Sequence, residues 1–323
     1  VNAGVDRASL PAPDIGSRSA QVGGAPVIGL ALGSGAARGW AHLGVLRALS
    51  TEGVVPDVIC GCSIGAFVGA AAATGDLAKL TKWAEALKWQ DVVSLLDVSL
   101  RGGLIKGQRL ISFFERTFVD RDFSALKTRF ACVATDLASG REIWLHEGSV
   151  AAAVRASIAL PGLMTPVIHG GRLLVDGGLV NPVPVSLCRA MGADIVIAVE
   201  LGSDTIGRAW RHAAVEPPAP DETEASWSDR LLNRLRFGST DPKAEDALPS
   251  LIAVLTGSIN IMQTRIARSR LAGEPADVLI SPRVGQLGLM DYHRAGEAIA
   301  EGEAAVARAV PLLHYVLGRG GGA

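Results

Sequence analysis

The sequence predicts an α/β fold built on buried parallel strands, and three observations carry that prediction. First, Val27-Ile28-Gly29-Leu30-Ala31-Leu32 and Val58-Ile59-Cys60 are short apolar runs that end at a glycine, as strands covered on both faces do. Second, each run gives way to a helical pattern: Leu43, Leu46 and Leu49 recur at helical spacing within Trp40–Leu49, and Ile64–Ala73 is alanine-rich. Third, the alternation continues along the chain, with no internal repeat. Further strands are expected at Phe130–Ala134, Glu142–Leu145, Leu173–Val175, Ile195–Glu200 and Val278–Ile280. Helices are expected at Ala78–Lys88, Gly107–Phe118, Val183–Met191, Leu251–Leu271 and Tyr292–Leu313. Strand, turn and helix in repetition is α/β wiring.

A chain of 323 residues with 49% hydrophobic and 20% charged side chains can bury a large sheet in one domain, or form two small ones. The charges nearly cancel, 31 basic against 32 acidic, so nucleic acid is not an expected partner; phosphate-backbone binding needs a basic surplus or stripe. Cys60, Cys62, Cys132 and Cys188 form no CxxC pair and read as free thiols in a reducing compartment. No Cys/His cluster has ligand spacing, and no metal or other cofactor is expected. The most apolar window, Val54–Thr74, holds Asp57 and has Ser63 between glycines near its centre. It therefore falls short of the ~20 uninterrupted apolar residues of a membrane span. The N-terminus lacks the basic-then-apolar layout of a signal peptide. The expectation is a cytoplasmic protein, with peripheral membrane contact left open and the oligomeric state unread. Residues 1–25 read as a loose tail, 26–315 as the domain and 316–323 as a flexible C-terminal tail. Residues 202–249, rich in Pro, Glu, Asp, Ser and Arg, read as a variable insertion.

Three constellations carry chemistry. In Gly61-Cys62-Ser63-Ile64-Gly65 a serine stands at the junction of a buried strand and a helix. Such a turn crowds the backbone, so glycines two residues either side admit it, and it lifts the hydroxyl out at the carboxyl edge of the sheet. The helix starting at Ile64 aims its amino end, and its first N–H, at developing negative charge. The bland alternative is a strand–helix turn in which Ser63 is an N-cap. The second constellation is Gly33-Ser34-Gly35-Ala36-Ala37-Arg38-Gly39, again between strand and helix. A dinucleotide fingerprint fails there, because Arg38 occupies the third glycine position and Asp57 precedes the next strand instead of ending it. A P-loop fails for want of Gly-Lys-Ser/Thr. Backbone N–H donors on Gly35, Ala36 and Ala37 suit an oxyanion hole, with Arg38 steering a phosphate headgroup or, as the favoured task, in a structural ion pair behind the loop. The third constellation is Asp176-Gly177-Gly178 after the strand Leu173–Val175, a turn that presents a carboxylate at the sheet edge.

The base that would activate Ser63 is the next question. A Ser-His-Asp arrangement wants a histidine loop at the same sheet edge. His42 lies on a helix, His146 and His169 near turns, His212 in the insertion, and His293 and His314 flank the last helix. A direct Ser63–Asp176 pair is the better inference, and it demands close contact and a partly desolvated carboxylate.

Four blocks in register resemble the patatin-like phospholipase family, particularly compact bacterial members related to the neuropathy target esterase catalytic domain. They are Gly29 through Val45, Gly61 through Gly65, Ala156-Ser157-Ile158-Ala159-Leu160-Pro161-Gly162, and Asp176-Gly177-Gly178-Leu179-Val180-Asn181-Pro182. The similarity extends from about Val27 to Leu201, with weaker support to Leu313. It implies a three-layer α/β/α sandwich with a mainly parallel sheet, and a Ser-Asp dyad in which Ser63 is acylated and Asp176 is the base. The glycine loop, with the Ile64 N–H, would form the oxyanion hole. Gly33, Arg38, Gly39, Gly61, Gly65, Gly177 and Gly178 would support the site. Ser157 and Pro161 would shape it, with core packing an equal alternative. Many relatives carry three successive glycines where this chain has Ser34-Gly35-Ala36, and the Ala36 methyl is expected to restrict the loop. The expected partner is a lipid acyl ester, hydrolysed or passed to an alcohol acceptor; a non-catalytic scaffold on a hydrolase fold is the third reading. Within the insertion, Trp227–Phe237 as a helix would place Trp227, Leu231, Leu232 and Leu235 on one side with Arg230 and Arg234 flanking. That suits a membrane surface, although packing on its own domain is the favoured reading.

Overall fold

The computed structural model describes residues 25–91, 121–204 and 251–319. The expected helix Gly107–Phe118, the Trp227–Phe237 segment and nearly all of the 1–25 tail lie outside them.

In chain order the strands are β1 (Ile28–Leu32), β2 (Val58–Cys62), β3 (Arg129–Asp136), β4 (Glu142–Leu145), β5 (Val167–His169), β6 (Arg172–Asp176), β7 (Ile195–Val199) and β8 (Val278–Ile280). The helices are α1 (Ala41–Thr51), α2 (Ile64–Thr74), α3 (Leu77–Ala86), α4 (Val150–Ser157), α5 (Val185–Ala190), α6 (Leu251–Gly273) and α7 (Ala295–Val316). Tight 3-10 turns precede α1 at Ala36–Trp40 and α7 at Tyr292–Arg294. Beyond α7, Arg319 donates to the Glu52 carbonyl at 2.8 Å and the Gly53 carbonyl at 3.0 Å.

All eight strands join one sheet, in which β3, β2, β1, β7 and β8 run parallel. The period-2 alternation of a strand sorts its side chains into two apolar cores. Leu30, Leu32, Ile59, Phe130, Cys132, Ile197 and Val199 face the first, which α1, α2, α4 and α7 cover. Ala31, Val58, Cys60, Ala131, Val133, Val196 and Ala198 face the second, closed by α5 and α6. The result is the expected three-layer α/β/α sandwich. Burial on both faces explains why these strands read as continuous apolar runs. Helix α2 has no polar face, and all its residues but one are buried.

One departure from parallel wiring creates the site. Val133 of β3 pairs with Cys62 of β2 on one edge and Trp144 of β4 on the other. Its neighbour Ala134 pairs with Ile143 of β4 and, antiparallel, with Asp176 of β6. Strands β2 and β6 therefore share one edge of β3 and meet end to end, each pointing its carboxyl terminus at the other. Helix α4 and strand β5 are absent from the sequence expectations. Helix α4 is a short alanine-rich run, buried along nearly its whole length, and Ser149 caps it by accepting the Ala152 N–H at 3.1 Å.

Candidate active site

Ser63 stands between β2 and α2 with φ 55° and ψ −123°, a backbone region that costs a non-glycine residue about 1–3 kcal/mol. The flanking glycines make that turn sterically feasible. A Cβ on Gly65 would strike the Leu32 and Gly33 carbonyls, and one on Gly61 would strike the Ala66 backbone. Gly39 likewise admits the Ile64 side chain, which seats the glycine loop against the start of α2. The Ser63 hydroxyl does not cap α2. It donates instead to Asp176 Oδ2 at 2.6 Å, so the N-cap reading gives way to the paired one.

Asp176 is fully buried and held from three directions. Its Oδ1 accepts the Gly178 N–H at 2.7 Å, its own N–H donates to the Ala159 carbonyl at 2.9 Å, and its carbonyl accepts Thr135 Oγ1 at 2.8 Å. Gly177 and Gly178 lie where a Cβ would strike the Val133 carbonyl and the Gln263 side chain respectively. Burial pushes the carboxyl pKa up to about 6, against the lowering effect of its bonds from Ser63 and Gly178.

The glycine loop is anchored at its base. Gly33 N–H donates to the Val199 carbonyl at 3.0 Å, and Ser34 N–H to the Pro182 carbonyl at 2.8 Å. His42, wholly buried, places Nε2 2.8 Å from the Gly33 carbonyl. Burial lowers its pKa to about 4, so Nε2–H is the donor and the ring is neutral. Ala36 adopts φ 50°, a left-handed conformation for which glycine carries no penalty. Gly35, Ala36 and Ile64 donate their N–H groups to no acceptor among the described residues. Ala37 does not join them. The 3-10 turn directs its N–H to the Leu289 carbonyl at 3.2 Å, which corrects its assignment as an oxyanion donor.

Arg38 is buried behind the loop, donating from Nε to the Gly35 carbonyl at 3.3 Å and from Nη2 to Asn260 Oδ1 at 2.7 Å. Both partners are neutral, so the expected contact ion pair is a hydrogen-bonded clamp. Burial lowers its pKa to about 10 while Glu200 opposes through space. The guanidinium is engaged with Gly35 and Asn260, and the residue is 3% exposed, which places it behind the loop and away from solvent.

No histidine among the described residues hydrogen-bonds Ser63 or Asp176. His314 pairs with Glu52 at 3.2 Å, the ring of His293 meets Trp89 edge-on, and His212 lies outside the described residues. The four cysteines are buried and free. Among the described residues no cluster of His, Cys, Asp and Glu could hold a metal, and no helix is long and apolar enough to cross a membrane. Sequence reasoning passed over Tyr292, whose pKa rises to about 12 through burial and then through the charge of Asp176, which puts its hydroxyl in the field of the site. Its carbonyl accepts the indole N–H of Trp40 at 3.1 Å, fixing this segment to the glycine loop.

A strained elbow presenting a serine hydroxyl, a buried carboxylate in direct contact with it and a loop of backbone N–H donors beside them thus meet at one edge of the sheet. The patatin-like phospholipase family model matches residues 30–189. An NTE family protein of Mycobacterium tuberculosis is 33% identical over 88% of this chain and 91% of its own length. The chain belongs to the patatin-like phospholipase family. Lysophospholipase NTE1 of Pyricularia oryzae is 28% identical over 85% of this chain, which spans only 18% of that protein. The crystal structure of VipD from Legionella pneumophila shares the fold, with a TM-score of 0.55 at 16% identity, covering 90% of this chain and 67% of VipD.

Proposed function

We propose that this chain is a serine acyl hydrolase that cleaves fatty acyl esters of phospholipids or lysophospholipids through a Ser63–Asp176 dyad. The observation that carries the reading is the 2.6 Å bond from Ser63 Oγ to a fully buried carboxylate. Asp176 takes the serine proton as Oγ attacks the ester carbonyl, and the N–H groups of Gly35, Ala36 and Ile64 stabilise the oxyanion. The proton then passes from Asp176 to the departing alcohol, leaving Ser63 acylated. Water, deprotonated by Asp176, attacks the acyl-enzyme; the acyl–Oγ bond breaks, the fatty acid leaves, and Asp176 returns the proton to Ser63 Oγ. A carboxyl pKa of about 6 suits both directions better than an ordinary aspartate, since a general base works best when its pKa lies near the operating pH. Family membership and the name of the fungal lysophospholipase relative support a lipid ester as substrate.

Such a substrate sits in a membrane or micelle, and we extend the reading to peripheral contact. Val254, Leu255, Ile261 and Met262 of α6 are exposed, between 42% and 48%. The same helix supplies Gln263, whose Oε1 accepts the Ser34 hydroxyl of the glycine loop at 3.2 Å.

The test is covalent labelling with a fluorophosphonate read by intact mass. Wild type should gain one adduct, Ser63→Ala none, and Asp176→Asn far less in the same time. A wild type that takes no label sinks the enzyme reading. Fatty acid release from phosphatidylcholine and lysophosphatidylcholine, with and without an added alcohol, then separates hydrolysis from acyl transfer.

A further inference from the structure

Ser157 ends α4 and is fully buried, 94 residues from the nucleophile in sequence. Its Oγ lies 3.0 Å from Ser63 N and 2.7 Å from the Val133 carbonyl oxygen. The Cys132 thiol also neighbours this hydroxyl, which opposes the rise that burial imposes on the thiol pKa. A backbone N–H can only donate and a carbonyl can only accept, so the Ser157 hydroxyl receives from Ser63 and gives its own proton to Val133.

The place of this hydroxyl in the sheet gives it meaning. The parallel ladder of β2 and β3 ends at the Cys62–Val133 pair. If β2 continued straight, its next bond would run from Ser63 N–H to the Val133 carbonyl. Ser63 instead turns to positive φ, and its amide leaves the ladder. The Ser157 hydroxyl is inserted into that broken rung and satisfies both groups at the distance the elbow imposes. Two residues on, the Ala159 carbonyl accepts the Asp176 N–H at 2.9 Å, so one short segment grips both halves of the dyad.

We propose that Ser157 is a positioning residue for the nucleophile: its hydroxyl, spliced into the β2–β3 ladder, holds the strained elbow that sets Ser63 Oγ on Asp176. This rests on the Ser63–Asp176 reading above. Without the hydroxyl, Ser63 N–H loses its partner and the Val133 carbonyl its link to the elbow, which can then relax toward ordinary strand geometry. The cost falls on the reacting geometry while substrate contacts are untouched.

The experiment compares wild type, Ser157→Ala and Ser157→Cys as full chains, well below their melting temperatures, on a soluble p-nitrophenyl ester and with a fluorophosphonate. Alanine should lower kcat roughly 10- to 100-fold with KM within about twofold, and slow labelling of Ser63 by the same factor. The acidic limb of the pH profile should not move, because Ser157 does not touch the Asp176 side chain. Cysteine keeps the shape but is a poor donor and acceptor, so it carries the test if the alanine variant does not fold; at least fivefold slower labelling is expected. Labelling at the wild-type rate in the folded variants, a change confined to KM, or a shifted acidic limb overturns the proposal. Those results leave the dyad reading intact, whereas an unlabelled wild type removes the dyad reading itself.

Discussion

Replacing Asp176 by Asn should abolish hydrolysis and at the same time stabilise the fold, by an amount that depends on pH. Asp176 is wholly buried, and its carboxyl pKa in the folded protein is about 6 against 3.8 for the free group. A carboxylate with a raised pKa is harder to ionise folded than unfolded. Its contribution to stability is therefore fully present below pH 4 and is lost as pH rises through about 6. Two pKa units correspond to roughly 3 kcal/mol, and the helping bonds from Ser63 and Gly178 are already contained in that figure. Asparagine has the same shape and no charge to bury. Its oxygen can accept the Gly178 N–H while its amide nitrogen faces Ser63 Oγ.

At pH 8 the Asn variant should accordingly melt about 6 °C higher at most, taking roughly 2 °C per kcal/mol for a domain of this size. Near pH 4 both side chains are neutral and the difference should shrink to within about 2 °C. Melting of wild type and Asp176→Asn by differential scanning fluorimetry across pH 4–8 reads this directly. An Asn variant that is less stable at pH 8, or a difference that does not change with pH, would refute the reasoning that burial sets the basicity of Asp176.

The same shift predicts that kcat/KM on a soluble ester rises about tenfold per pH unit below pH 6 and flattens above it, since only ionised Asp176 can take the proton. A pH profile from 4.5 to 8 should show that single limb, with no second limb from His42, which is neutral above about pH 5. Ala36→Val should lower the melting temperature by at least 4 °C, because a β-branched residue at φ 50° is strained. Ala36→Gly should stay within about 2 °C, relief of the left-handed strain being offset by the greater freedom of glycine when unfolded. His42→Leu, which leaves the Gly33 carbonyl without its buried donor, should cost about 1–3 kcal/mol in thermal or denaturant unfolding. Leu255→Ser with Met262→Ser should reduce hydrolysis of phospholipid vesicles severalfold and leave soluble ester turnover within twofold; equal losses on both would remove α6 from the interface.

The elbow was legible in the sequence because its requirements are local. A buried strand, a serine and two glycines with no room for a Cβ specify that turn within a few residues. The Asp-Gly-Gly block was legible as a turn, but its meeting with Ser63 depends on a register 113 residues away in sequence. Only pairing shows that Val133 faces Cys62 while Ala134 faces Asp176. The poorly placed histidines argued for a dyad by elimination, and His42 turned out to hold the Gly33 carbonyl. Ala37 was misjudged because an N–H in a small-residue loop looks free until the chain that covers it, here Leu289, is known. Ser157 was visible only as part of a block, since nothing local says that a serine at a helix end will mend a ladder.

A Ser-Asp dyad has to solve a problem that a triad avoids. Imidazole is basic enough near neutral pH, whereas an ordinary carboxylate with a pKa of 3.8 is a feeble base for a serine proton. In the proposed mechanism withdrawal from water is the lever, and end-to-end strands are well suited to it. Because β2 and β6 abut along one edge of β3, the carboxylate at the tip of β6 is covered by the strand end, the elbow and α4, while its inner oxygen is tied to Gly178. The outer oxygen is left facing one hydroxyl. Closeness and desolvation thus come from the same junction: the strand ends that bring the hydroxyl to the carboxylate also keep water from it. That coupling is why the glycines at 61, 65 and 177, none of which touches substrate in the proposed mechanism, are as necessary to that mechanism as Ser63 and Asp176 themselves.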